Sequence, residues 1–314
     1  MNAMQVRYRQ FRVQVAQVRR LSPAFVRITF SGDELTAFGA GGFDQRIKVI
    51  LPGPAGTLAD LPGGDDWYQR WRDLPTARRP VLRTYTVRAT RPAQAEVDVD
   101  FVLHGVAGGH PGPAARWAAL ARPGDEAVLV GPDRPGSGRA WGCAWSPPAD
   151  AWRLLLAGDE TAVPAVCAVL EGLPDGTDVT ALLEVPTTAA RLRVARPAGA
   201  DVRWFARDGG GHAHSGGHAH GEQLSRAVRE TVARWASPPP TAAARDDIDD
   251  IAVDATVLWD VPEADAPGDG LYIWLAGEAA VIRSLRRHLI GDLGLPRGAV
   301  ACMGYWRHGR AEHE

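Results

Sequence analysis

The sequence predicts a β-barrel in its first half and an α/β domain with a parallel sheet in its second. Three observations carry this. The first half holds short runs that alternate polar and apolar residues, as half-buried antiparallel strands do. The second half sets continuously apolar runs between helical stretches, the pattern of parallel strands covered on both faces. A stretch rich in Gly, Pro and Ser, from Arg134 to Asp150, separates the two rhythms.

In chain order, Val13 to Val15 and Phe25 to Phe30 are predicted strands divided by the turn signal Ser22-Pro23. Ile47 to Leu51 is another. A long loop rich in Pro and Gly, Pro52 to Pro80, leads to an apolar strand that starts at Val81. From Glu96 to Leu103 the alternation is clear: Val97, Val99, Phe101 and Leu103 point one way, Asp98 and Asp100 the other. Glu126 to Val130 closes a set of short strands whose spacing suggests a small antiparallel barrel. In the second half, Arg153 to Ala157, Thr180 to Val185, Leu271 to Ala276 and Val300 to Trp306 are predicted strands. Thr161 to Glu171 and Glu278 to Ile290 are predicted helices, which makes βαβ units. The expected domains are residues 1–145 and 151–314, the second with an insert near 207–268.

At 314 residues the chain is long enough for both domains. Its net charge of −2 gives no reason to expect nucleic acid or an acidic membrane as a partner. Cys143, Cys167 and Cys302 are odd in number and far apart, which fits a reducing compartment and no disulfide framework. No apolar signal-type segment opens the sequence and no run approaches a membrane span, so a cytoplasmic protein without membrane insertion, and a monomer, is expected.

The most informative segment is Arg83-Thr84-Tyr85-Thr86. A pleated strand sets Arg83 and Tyr85 on one face, roughly 6–7 Å apart. That suits a ligand with a phosphate at one end and a flat ring at the other. A second segment, Gly112-Pro113-Ala114, follows His104-Gly105. Pro113 fits the first turn of a helix, and the free amides there form an anion site. No Ser/His/Asp set, HExxH or P-loop is present, so the chemistry is assigned to a cofactor.

Taken in order, Arg83 to Arg88, Asp100 to Gly105, Gly112 to Ala118, Ala157 to Ala165, Ala276 to Glu278 and Gly304 to Arg307 resemble the siderophore-interacting protein family. This is a flavin-dependent branch related to ferredoxin–NADP reductases, and the resemblance runs nearly the full length. It implies an N-terminal FAD-binding barrel and a C-terminal Rossmann-like, ferredoxin-reductase-like domain. In that frame Arg83 holds the FAD pyrophosphate, Tyr85 lies against the isoalloxazine and Thr86 hydrogen-bonds near the reactive flavin nitrogen. Thr84 and Gly105 belong to the same binding segments. Gly112, Pro113 and Ala114 present backbone to phosphate. His104 contacts the ribityl–phosphate region or, equally, satisfies its own loop. Trp117 is expected in helix packing.

The resemblance also implies a pyridine-nucleotide site at Asp159, Glu160, Thr161, Ala162 and Pro164, with Gly277 and Glu278. The residues themselves argue for a weak or atypical site: there is no GxGxxG, and two carboxylates would repel a pyrophosphate or else cap the helix that follows. Arg191, Arg193 and Arg196 read as a solvated basic loop rather than a 2′-phosphate site. Family members tend to carry Asp-x-His-Val-Lys where this chain has Arg46 in the histidine position before Lys48. Lys48, Arg134 and Arg307 are candidates for steering an anionic ferric siderophore. His212, His214, His218 and His220 sit among Gly, Ala and Ser and read as a flexible loop with weak metal affinity. Ser237 to Asp254 reads as a linker.

The sequence therefore points to a ferric-siderophore reductase that passes electrons from NADPH or NADH through FAD to Fe(III), with no catalytic nucleophile. A ferredoxin donor, a general NAD(P)H flavin reductase and a non-catalytic siderophore or metal carrier are the other readings.

Overall fold

The computed structural model describes residues 6–106, 108–136, 138–209, 217–235, 258–263 and 269–309. His212, His214 and the segment read as a linker lie outside them. The chain divides into two compact units, Met1–Cys143 and Ala144–Glu314.

The first unit is a closed six-stranded barrel in the order β1-β2-β5-β4-β3-β6, antiparallel throughout. Its strands are β1 (Tyr8–Ser22), β2 (Phe25–Ser31), β3 (Arg46–Leu51), β4 (Val81–Arg91), β5 (Glu96–Val102) and β6 (Glu126–Pro132). Alternate positions fill the interior: Phe11, Val13 and Val15 from β1, Val26, Ile28 and Phe30 from β2, and Val97, Val99 and Phe101 from β5. Helix α1 (Trp67–Arg72) lies in the stretch read from sequence as a plain loop. That stretch has its own apolar contacts: Leu58, Leu61 and Trp71 cover Ile50, Leu82, Val128 and Val130, with Trp71 Nε1 donating to Pro80 O at 2.9 Å. Helix α2 (Pro113–Leu120) packs on β2, β4 and β5. Its Trp117 stacks on Phe30 with ring centroids 6.3 Å apart.

Asp98 and Asp100 point away from the interior, yet both are buried. Arg27 forks onto Asp100 at 2.6 and 2.8 Å. Asp98 takes Thr29 Oγ1 at 2.7 Å and both Arg91 terminal nitrogens at 2.9 and 2.6 Å. Carboxylates hidden on a barrel wall need such partners. Burial works against the Asp98 charge, but the bonds from Arg91 and Thr29 outweigh it and hold its carboxyl below the usual range.

The second unit is a six-stranded sheet in the order β10-β12-β11-β7-β8-β9, parallel except for β10. Its elements are β7 (Arg153–Gly158), α3 (Val163–Gly172), β8 (Asp178–Val185), β9 (Asp201–Ala206), α4 (Glu222–Trp235), β10 (Trp259–Asp260), β11 (Leu271–Glu278), α5 (Ala279–Arg286) and β12 (Val300–Trp306). The predicted apolar runs are its central strands: Leu154 to Leu156 and Tyr272 to Ala276 are all buried. Cys143, Cys167 and Cys302 are buried free thiols. Burial pushes the Cys143 thiol up to about 12 and raises that of Cys302 as well. No helix among the described residues is long and apolar enough to cross a membrane.

Candidate functional site

In the first unit the candidate residues gather on β4 and at the start of α2. β4 pairs with β3 over Val81–Thr86 and with β5 only over Val87–Arg91. Among the described residues, the stretch carrying Arg83 to Thr86 therefore has a strand on one side only. Tyr85 lies against Phe101, ring centroids 4.3 Å apart. Arg83 is two residues away on the same face, and its Nη1 donates to Leu82 O at 2.7 Å. Thr84 and Thr86 take the opposite face by the strand pleat. There Thr84 stands across from Lys48 in the register, and Lys48 Nζ donates to Thr84 Oγ1 at 2.7 Å. A cofactor candidate and a substrate candidate are thus joined in one cross-strand pair.

His104 and Gly105 are exposed and open the turn that leads to α2. Gly105 has φ +69°, and a Cβ there would meet His110 O at 2.3 Å, so the turn requires glycine. His110 N donates to Gly105 O at 2.9 Å and closes it. α2 then starts at Gly112 with Pro113 in its first turn and no side-chain cap. A Cβ on Gly112 would meet nothing within 4 Å among the described residues. An uncapped helix start facing open space leaves backbone N–H groups for an anion. With Arg83 for phosphate and the Tyr85 ring beside it, this arrangement fits the diphosphate and flat ring system of FAD.

In the second unit the candidates lie at the carboxyl ends of the parallel strands, where α/β sheets bind ligands. The sequence reading of Asp159 and Glu160 as caps of the following helix is corrected here. α3 has no side-chain cap. Asp159, buried in the turn after β7, instead ties strands together. Its Oδ1 accepts from Thr161 N at 2.9 Å and from the Thr161 hydroxyl. Its Oδ2 accepts from Glu278 N and Trp306 Nε1, each at 2.8 Å. Burial, and then the neighbouring Glu160, push its carboxyl above the usual range in spite of these bonds. Gly277 (φ +151°) is held to glycine by the same carboxylate, since a Cβ there would lie 2.7 Å from Asp159 Oδ2. Ala162 and Pro164, at the start of α3, are buried.

Glu160 receives a two-pronged bond from Arg207, at 2.7 and 2.6 Å. Arg207 Nη1 also reaches Glu184 Oε1 at 3.2 Å. Glu184, fully buried on β8, accepts from Gly221 N at 2.8 Å and Leu224 N at 3.2 Å at the start of α4. Glu278 is the residue that caps a helix. It accepts from Ala280 N at 2.7 Å and Val281 N at 3.0 Å in α5, while its Oε1 takes His308 N at 3.2 Å.

His220 belongs to this cluster rather than to a free loop. Its Nε2 is 3.5 Å from Asp159 and 3.8 Å from Glu160, and its ring meets Trp306 edge-on at 5.1 Å. His218 lies near Glu222 instead, at 3.7 Å. Among the described residues no group of His, Cys, Asp and Glu is placed to hold a metal ion. Of the proposed steering cations, Arg134 is engaged with Asp133 at 3.1 Å, and Arg307 is half-buried at the end of β12. Arg191, Arg193 and Arg196 are exposed. Sequence reasoning missed Arg207, Glu184 and the ring of Trp306 as partners of the Asp159 turn. Nothing local marks these pairings, even for Trp306 in its family-like segment, because the residues they meet are 23 to 147 positions away.

A closed antiparallel barrel followed by a parallel α/β unit, with an anion-ready helix beside an Arg and Tyr strand, defines a ferredoxin-reductase-like flavoprotein. Family models agree: residues 14–136 match the siderophore-interacting FAD-binding domain and residues 151–309 match siderophore-interacting protein. The chain belongs to the siderophore-interacting protein family, and the barrel is its FAD-binding domain. It is 27% identical to the NADPH-dependent ferric-chelate reductase of Escherichia coli, over 96% of this chain and 93% of that protein. It is 33% identical to the ferric vibriobactin reductase of Vibrio cholerae, over 60% of this chain and 63% of that protein. The crystal structure of a siderophore utilization protein from T. fusca superposes with TM-score 0.70 at 26% identity, covering 98% of each chain. In fold alone, the ferredoxin reductase of carbazole 1,9a-dioxygenase is similar, with TM-score 0.58 at 13% identity, covering 98% of this chain and 71% of that one.

Proposed function

We propose that this protein is a ferric-siderophore reductase: it takes electrons from NADPH or NADH, passes them through FAD, and reduces chelated Fe(III) so that Fe(II) is released. The observation that carries this reading is the uncapped start of α2, a helix packed on β4, together with the Tyr85 ring that β4 sets against Phe101. The activities by which the Escherichia coli and Vibrio cholerae relatives are known support the substrate class.

FAD, when bound, accepts electrons as a pair and hands them on singly. The chain's own residues do the rest. Arg83 and the amides of Ala114 and Ala115 would hold the diphosphate, and Tyr85 would orient the ring. Thr86 offers its hydroxyl from the opposite face of the strand. Lys48 would supply positive charge towards an anionic chelate. Fe(II) carries less charge than Fe(III) and binds hard oxygen ligands less tightly, so reduction frees it without any nucleophile.

The working place is the cytoplasm and the working unit a monomer. A ferredoxin is the alternative donor.

The test is anaerobic reduction of the purified yellow protein by NADPH, NADH or reduced ferredoxin, followed by a ferric chelate and an Fe(II) trap. Trapped Fe(II) in step with flavin reoxidation is expected. Colourless protein from riboflavin-replete cells would overturn the reading.

A further inference from the structure

Strict alternation would keep each residue of β1 and β4 on a fixed face of the barrel, but a β-bulge interrupts both strands. In β1 the register slips between Val15 and Gln17, and in β4 between Val87 and Ala89. Val15 and Val87, ahead of the slips, are buried in the barrel interior. Without the bulges Gln17, Arg19 and Arg91 would follow them inwards. With the bulges, Gln17 stands across from Thr29, Arg19 from Arg27 and Arg91 from Glu96, all on the outer face. A cavity of about 370 Å³ lies among these side chains. It is at the far end of β4 from Arg83, roughly 25 Å along the strand.

The cavity is rich in donors, and its acceptors are already engaged. Asp98 is taken by Arg91 and Thr29, and Glu96 accepts from Arg91 Nε at 2.7 Å. Asp100, next in the ladder, is taken by Arg27 and lies 3.6 Å from Arg88. Arg27 uses Nε and Nη2 there, and its Nη1 has no partner among the described residues. The side chains of Arg19 and Gln17 have none among the described residues either, and both residues are exposed. Arg19 and Arg27 are like charges set directly opposite each other on adjacent strands, which costs stability unless an anion lies between them. Cations exceed carboxylates by one here, whether or not Arg88 and Asp100 are included.

We propose that this cavity is an oxyanion site, in which a phosphate or carboxylate group lies between Arg19 and the free edge of Arg27 and accepts from the Gln17 amide. Such groups match the donor fork of a guanidinium. The space admits a small molecule that bears one, since a water molecule takes about 30 Å³. The site is separate from the FAD-binding segments and does not depend on them.

The test is calorimetric titration of the flavin-loaded protein with inorganic phosphate and with citrate at constant ionic strength. At least one should bind with a Kd of about 1 mM or tighter, as a few charge-assisted hydrogen bonds allow. Phosphate binding alone marks a phosphate-bearing ligand, and citrate binding alone a carboxylate-bearing one. Arg19→Gln should weaken binding at least about tenfold, with flavin content unchanged. Arg12→Gln removes the same charge from an exposed position of β1 outside the cavity, and should leave the Kd within about twofold. Binding of both anions weaker than about 1 mM, or equal losses in the two variants, overturns the proposal. Loss of flavin from Arg19→Gln overturns it too, by joining the cavity to the FAD site. Arg83 is present in both variants, so their comparison stands even if the protein carries no flavin.

Discussion

The indole N–H of Trp306 donates to Asp159 Oδ2 at 2.8 Å, joining the end of β12 to the turn after β7 across 147 residues of sequence. Asp159 is buried, so the bond is one of the few means by which its charge is tolerated. Trp306→Phe keeps the ring and removes the donor. It should cost about 1–3 kcal/mol in chemical denaturation, the penalty for an under-satisfied buried group. An unchanged unfolding midpoint would show that the bond holds nothing.

Gly277 and Asp159 are coupled by space. Gly277→Ala combines a φ of +151° with a Cβ 2.7 Å from Asp159 Oδ2, and should destabilise by about 2 kcal/mol or more. In an Asp159→Ala background the same change should cost less, with a coupling of about 1 kcal/mol or more in the double-mutant cycle. Simple additivity of the two changes would mean the contact is relieved elsewhere.

Arg83→Ala should leave the barrel folded and weaken FAD retention by about tenfold or more, the loss expected for a charged hydrogen bond to phosphate. The readout is the ratio of bound flavin to protein after gel filtration. Trp117→Ala should act the other way round: it removes a ring packed on Phe30 and Phe101, and should lower barrel stability by about 3–5 kcal/mol.

Lys48→Met tests steering. KM for a multiply anionic ferric chelate should rise, and the difference from the unaltered protein should shrink as salt is added. Flavin reduction by the nucleotide should not change. Equal losses with a neutral ferric chelate would assign Lys48 to flavin positioning through its bond to Thr84 instead.

The barrel carries an acid-sensitive ladder. The Asp98 carboxyl is depressed in the folded state, so its contribution is present above the ordinary carboxylate value of about 4 and is lost as pH falls through the lower, folded value. Barrel stability should therefore drop below about pH 4, and Asp98→Asn should flatten that drop. An identical acid profile in the variant would remove Asp98 from the account.

Much of this architecture was legible because it is written in local periodicity. The alternation of Val97, Val99 and Phe101 announced a barrel wall, and the unbroken run Leu154 to Leu156 announced a sheet covered on both sides. β12 was read at its observed limits, Val300 to Trp306. Charge networks were not legible in the same way. Arg207 is an ordinary arginine until β9 brings it to Glu160, and His220 reads as part of a glycine-rich tract until the fold sets it against Asp159. Asp159 and Glu160 looked like caps for the next helix because acids near a helix start usually are. Long-range partners took them first.

The three cysteines are shut away from solvent, and burial raises the thiols of Cys143 and Cys302. Freshly liberated ferrous iron and dissolved oxygen together make oxidants, and exposed thiolates are among the first groups such oxidants attack. A protein that reduces chelated iron thus keeps all three sulfurs out of reach, and those of Cys143 and Cys302 protonated as well, and should survive many turnovers without a reductant to repair it.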